Sequence, residues 1–344
     1  MAILFMDGFD LYDSVADAVA SAKWGATGSP LFSTTLGRSG GGALRLTAST
    51  QNWAFQMPSP HEYNVSRVYA FSILWTTLPS SEGSFLVWTS NNTPSGSFTL
   101  RSRISAAGEI ILWDGNSVPF KTSYFLSAGT WYRLEYKVTP GPTGGSSNGS
   151  VEVYVNGNLV ASFLDNMYIS WNSSTVYPIV DGNFFGIGSM LVDDFTISDD
   201  IMGDVIIDTV RPVGNGVAQD WVANTGTTSG AIDDPNGASD GDTTYISSSV
   251  SGDKSEFTLG DLSGSSAAIL AVQPRVKLKK TDAGPRPYRA YLLSAAAVAN
   301  GSIVDAPTAY GWSLGDIIEL NPDGSVDWTD SAVNALEVGL EATA

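Results

Sequence analysis

Two adjacent carboxylates, Asp193 and Asp194, stand in the stretch LVDDFTIS, with a glycine-rich run before them and Asp199-Asp200 just after. Side-by-side acids of this kind can share a proton or hold a cation. They also sit naturally in a closing strand, and the β-branched and aromatic residues around them favour the strand. Other chemistry is scarce. His61, in PSPHEYN, is the only histidine, so a triad that needs a histidine base has one candidate, in a proline-flanked loop, and no G-x-S-x-G accompanies it. There is no cysteine, which removes disulfides, thiolate metal sites and thiol nucleophiles. GRSGGG (37–42) is glycine-rich, but no Lys-Ser/Thr follows it to make a phosphate loop. It reads as a turn leading into a strand at 43–46.

Aromatic side chains beside Asn and Asp are the other candidates, because a ring can stack on a sugar face while the polar neighbour takes a hydroxyl. Trp88 with Asn91, Trp113 with Asp114, and Trp171 with Asn172 fit this pattern. The competing fate of each ring is burial in a core. A ligand site, if built this way, would use loops carrying Trp88, Asn91, Trp113, Asp114 and Trp171.

The elements that must hold these residues are strands. The chain has 344 residues, 43% hydrophobic and 15% charged, a globular composition with room for one large core or two ordinary ones. Helical periodicity is confined to DSVADAVASAKW (13–24). Period-two segments dominate the rest: RVYAFSILWTTL, GSFLVWTS, SFTLRSRIS, EIILWDG, WYRLEYKVT, VEVYVNGNLVASF and FFGIG, separated by Pro, Gly, Asn and Ser. In WYRLEYKV, Tyr132, Leu134, Tyr136 and Val138 alternate with Arg133, Glu135 and Lys137. In VEVYV the valines alternate with Glu152 and Tyr154, and Asn156-Gly157 is a type I′ hairpin signal. The net charge of −18 and pI near 4.2 oppose binding to nucleic acid or to an anionic membrane. No apolar run reaches the length of a membrane span. MAILFMDGFD lacks the basic start of a secretory signal.

A Trp-Tyr strand, a glycine-rich gap and a strand ending in YVNG with an apolar return resemble the concanavalin A-like, laminin-G-like jelly roll. The resemblance covers residues 1–200. It implies that the first and last strands lie side by side, with FMDGFDLYD and LVDDFTISD bracketing the unit. It also implies calcium as a ligand, through Asp7, Asp10, Asp193 and Asp194 at one end; Asp233, Asp234, Asp240 and Asp242 are a second set further on. Laminarinase-type hydrolases of this superfamily carry E-x-D-x-x-E on one strand. That string is absent here, since Glu62, Glu82, Glu109, Glu135 and Glu152 are all isolated. The expectation is therefore that the chain is not an enzyme.

A second unit is expected over 203–344. GDVIIDTVRPVG, DGDTTYISSS and the closing VDWTDSAVNALEVGLEA together resemble segments of tailed-bacteriophage virion proteins. The expected architecture is thus all-β: a concanavalin A-like jelly-roll sandwich followed by a smaller β-rich domain. The function the resemblance implies is that of a structural protein on a phage or prophage-derived particle, decorating the surface or associated with the tail. It would be made in the host cytoplasm and reside in the virion, as a homo-oligomer among other capsid or tail proteins. The alternative is a carbohydrate-binding module that recognises a host surface glycan. The basic stretch RVKLKKTDAGPRPYR (275–289) reads as an amphipathic strand with a turn, or as a contact arm for an acidic neighbour.

Overall fold

The computed structural model describes residues 1–21, 24–27, 31–47, 52–55, 65–89, 98–114, 119–139, 149–167, 177–181, 188–235, 237–266 and 268–343. The protein is all-β, 49% strand and 5% helix, in antiparallel sheets. It divides into two compact units, Met1–Ile207 and Asp208–Ala344.

The first unit is a sandwich of two sheets. One runs in the order Asn158–Met167, Gly149–Val155, Trp131–Thr139, Arg67–Thr77, Ser189–Ser198, Ala43–Thr47, Leu31–Ser33. The other runs Phe120–Phe125, Glu109–Trp113, Phe98–Ile104, Gly83–Thr89, Tyr177–Asp181, Asn52–Phe55, Trp24–Thr27. The first strand, Ile3–Asp7, pairs with the second half of Ser189–Ser198, whose first half pairs with Ala43–Thr47. The two ends of the unit therefore meet, as the jelly-roll resemblance implies. Rings from both sheets fill the space between them. Phe71 and Trp75 meet Phe85 edge-on, and Trp88 meets Tyr69 and Tyr136. Each such pair adds about 0.5–1.5 kcal/mol beyond the area it buries.

Local structure follows the sequence signals closely. Asn156 and Gly157 both have positive φ, 49° and 76°, as a type I′ turn requires. The helix is shorter than its periodic stretch, Val15–Ala20, with Ser14 capping its first turn through Asp17 N–H. Trp24 instead begins a strand and is buried.

The unit boundary lies at 207/208, a few residues beyond the expected 203. The reason is a strap of chain, 199–207, held on the outer face of the first sheet. Glu135 accepts from the amides of Met202 (2.9 Å) and Gly203 (3.1 Å), and Asp194 accepts from Ile207 N–H (2.7 Å). This strap also explains why Arg133 and Glu135 are fully buried, although they alternate with apolar residues as an exposed face would.

The second unit holds a six-stranded sheet whose central members are Lys254–Leu259, Glu337–Ala342 and Pro287–Ser294. The closing segment, VDWTDSAVNALEVGLEA, supplies part of its core. Trp328, Val333 and Leu336 pack with Leu292, and Thr329 caps the short helix Asp330–Asn334. Tyr291 lies flat across Gly339 on the neighbouring strand, and its hydroxyl donates to Glu256 (3.0 Å). A Cβ at Gly339 would fall inside the tyrosine ring. Gly339→Ala is expected to destabilise this unit by about 1–3 kcal/mol, the usual cost of overpacking. Amide exchange in Glu337–Ala342 would report it; unchanged protection would show that the ring can shift freely.

Candidate functional site

The carboxylates with which the sequence analysis began are spoken for by the fold. Asp7 accepts from the Tyr12 hydroxyl (2.6 Å), the Trp24 indole (2.9 Å) and Phe9 N–H (3.0 Å). Asp10 accepts from Gly42 N–H. Asp193 accepts from Arg38 N–H and Asp194 N–H, each at 2.7 Å. Asp194, at φ 49° in a bulge of the closing strand, accepts from the Ser72 hydroxyl (2.6 Å) and lies 3.7 Å from the Arg38 guanidinium. Among the described residues no group of three or more His, Asp or Glu side chains is placed to hold a metal ion. The calcium expected at Asp7, Asp10, Asp193 and Asp194 thus finds no such grouping, because each carboxylate is turned onto backbone and side-chain donors instead. In the second unit Asp240 accepts from Thr244, and Asp242 pairs with Lys279 (2.6 Å) and Tyr310 (3.1 Å).

The glycine-rich loop 37–42 is threaded between these acids. A Cβ at Gly41 would collide with Asp10, and one at Gly37 with the loop's own carbonyls and Asp193. Close approach, not phosphate binding, is what these glycines serve. Burial pushes the Asp193 carboxyl up to about 9, with Asp194 beside it adding to the shift. Asp194 and Glu135 are also raised, by burial first. Arg133, fully buried, donates to the Asp194 carbonyl and the Thr196 hydroxyl, and burial lowers its pKa. This cluster fastens the strap to the sheet.

The aromatic candidates separate. Trp88, expected in a sugar-binding loop, is 0% exposed and belongs to the core between the sheets. Asp114 is also buried. Asn91, Trp171 and His61 lie outside the described residues. Trp113 is half-buried on the outer face of its sheet. Along Phe98–Ile104, Leu100, Ser102 and Ile104 turn inward, and Ser102 meets the Tyr136 hydroxyl of the other sheet at 2.8 Å. Arg101 and Arg103 therefore point outward. Trp113 is directly opposite Arg101 on the next strand, and both guanidinium groups lie over its ring, at 5.2 and 6.0 Å from the centroid. Ile111 is opposite Arg103 on one side and Lys121 on the other, so the three strands place Arg103 and Lys121 in one cross-strand row. Glu82 pairs with Arg103 (2.6 Å), and Glu109 stands 3.9 Å from Lys121. The outer face of this sheet thus carries a half-buried indole bracketed by cations. Trp113 was a candidate in the sequence, whereas Arg101, Arg103 and Lys121 were not. The signal that could have found them is the R-x-R spacing in SFTLRSRIS, which puts two arginines on one strand face beside the tryptophan strand.

No family model and no curated protein matches the chain. Solved structures do. The endo-beta-1,4-glucuronan lyase of the fungus Trichoderma reesei shares 11% identity over 57% of this chain and 95% of its own, with a TM-score of 0.43. The PL-14 alginate lyase of Aplysia kurodai shares 12% over 58% and 99%, with a TM-score of 0.44. Domain 4 of AbnA, a GH43 extracellular arabinanase of Geobacillus stearothermophilus solved with arabinotriose, shares 16% over 57% and 91%, with a TM-score of 0.40. At these identities the likeness is one of fold alone. The expectation that the chain is not an enzyme is corrected by this finding. The absence of E-x-D-x-x-E excludes one arrangement of carboxylates, while lyases are among the proteins of similar fold.

Proposed function

We propose that residues 1–207 form a glycan-binding β-sandwich whose ligand lies on the outer face of the seven-stranded sheet, against Trp113. The observation that carries this reading is the indole itself. Trp24, Trp75 and Trp88 are buried to 1% exposure or less, whereas Trp113 is half-buried on a sheet face between two guanidinium groups. An aromatic platform with donors at its rim suits a sugar ring, with stacking on the apolar face and hydrogen bonds to hydroxyls.

The setting is the one the sequence of residues 203–342 supports by resemblance: a tailed-phage particle, where the second unit would attach the sandwich to other virion proteins. Many copies on one particle would turn a weak glycan contact into firm attachment.

The test is binding of the whole protein to an immobilised glycan panel, compared with Trp113→Ala. Loss of about tenfold or more in affinity is expected, with amide exchange in the sandwich strands unchanged. Any glycan bound should also be sized after incubation. Shortened chains would make this face part of an active site, and intact chains would make it a binding surface. Equal binding by Trp113→Ala would overturn the assignment of the site.

A further inference from the structure

We infer that the glycan held at this face is anionic, a polymer bearing carboxylate or sulfate groups. The inference rests on the glycan-binding reading and names its ligand class. Residues 1–202 contain nine Lys and Arg against sixteen Asp and Glu. Three of those nine project from one face of this sheet, Arg101 and Arg103 from one strand and Lys121 from the next but one. In a molecule of net charge −18, a polyanion is repelled over most of the surface. Two guanidinium groups over one ring, with a lysine in the adjoining row, gather positive charge on this face. Glu82 and Glu109 pair with Arg103 and Lys121 at the edge of this face.

The geometry suits acid groups spaced along a chain. Arg103 and Lys121 lie in one row across three strands, about 10 Å apart by strand spacing. Lys121 is 67% exposed, and its ammonium is free to swing from Glu109, 3.9 Å away, to an entering anion. Arg103 is held more tightly, by Glu82 at 2.6 Å, and its guanidinium lies 6.0 Å from the indole centroid. A guanidinium fork offers paired donors to either a carboxylate or a sulfate, and it is already oriented before the ligand arrives. A neutral sugar would leave these charges without a new partner, so discrimination against it is expected to arise from the arginines rather than from the ring.

The experiment uses the full chain and three polymers: a polyuronate, a sulfated polysaccharide and neutral dextran. Binding is measured for the parent, Lys121→Gln, Arg101→Gln and Trp113→Ala. Tighter binding of either charged polymer than of dextran by about tenfold, cut about tenfold by Lys121→Gln or Arg101→Gln, is the expected result. Which charged polymer wins assigns the acid group. Because Lys121 is exposed, its variant keeps the test sound if Arg101→Gln perturbs the sheet. Equal binding of dextran, lost in Trp113→Ala but kept in Lys121→Gln, would overturn the anionic assignment and leave the glycan reading standing. Binding of none of the three would overturn both.

Discussion

Arg133→Ala is expected to destabilise the first unit by about 3–5 kcal/mol, the range seen when one member of a buried charge network is removed. Arg133 is 0% exposed in the strand Trp131–Thr139. It supplies two hydrogen bonds to the closing strand, at the Asp194 carbonyl and the Thr196 hydroxyl. It also stands among three acids, Asp194, Glu135 and Asp204, with Arg38 the other cation of the cluster. Without it, two acceptors and a surplus of negative charge remain buried. Lysine cannot replace it, since one ammonium cannot reach both acceptors in the fixed geometry of a guanidinium. Hydrogen exchange over 67–77 and 131–139 would read the loss in this unit alone. Protection equal to the parent would mean that water or a shifted Arg38 takes over the role.

The same cluster makes stability depend on pH, with the reverse of the usual carboxylate sign. Asp193 is pushed up to about 9 in the folded state, chiefly by burial, and Asp194 and Glu135 are raised as well. A carboxyl whose folded pKa is above its unfolded value binds a proton on folding. Its contribution is fully present below the unfolded pKa, near 4, and is lost as pH rises toward the folded pKa. The first unit is therefore expected to become less stable from about pH 5 to pH 8. One proton sets a slope of up to about 1.4 kcal/mol per pH unit, or about 4 kcal/mol across that window. Asp10 and the Asp194 charge push in the same direction for Asp193, while the amides of Arg38 and Asp194 oppose them. Asp193→Asn cannot ionise and should flatten the slope by up to one proton. Exchange protection at several pH values, parent against variant, measures this. Parallel slopes would show that Asp193 ionises in the folded protein as it does in water.

What could be read in the sequence was what depends on neighbours along the chain. The strand pair around Asn156-Gly157, the strand after GRSGGG and the bracketing acidic-aromatic ends are all local patterns, and all appear in the structure. The helix was legible in position but too long, because tertiary pairing takes Trp24 into a sheet. Arg133 and Glu135 were misleading: alternation told which face they occupy, but not that a strap from seventy residues away covers that face. Trp88 and Trp113 show the limit for the site. Each is followed by small and polar residues in sequence, yet one points between the sheets and the other away from them. That difference is set by strand register, which only the pairing of Trp88 with Leu100 and Trp113 with Arg101 decides.

The strand Ser189–Ser198 is the last of its sheet to leave the ribosome, yet it lies inside the sheet rather than at its rim, between Arg67–Thr77 and Ala43–Thr47. Until nearly two hundred residues have been synthesised, the sheet exists as two separate ribbons, each with an open, largely apolar edge. Those edges are templates for any other nascent copy made nearby. A cell making many copies at once would meet its greatest hazard of misassembly in that interval, before the closing strand inserts and joins the two halves.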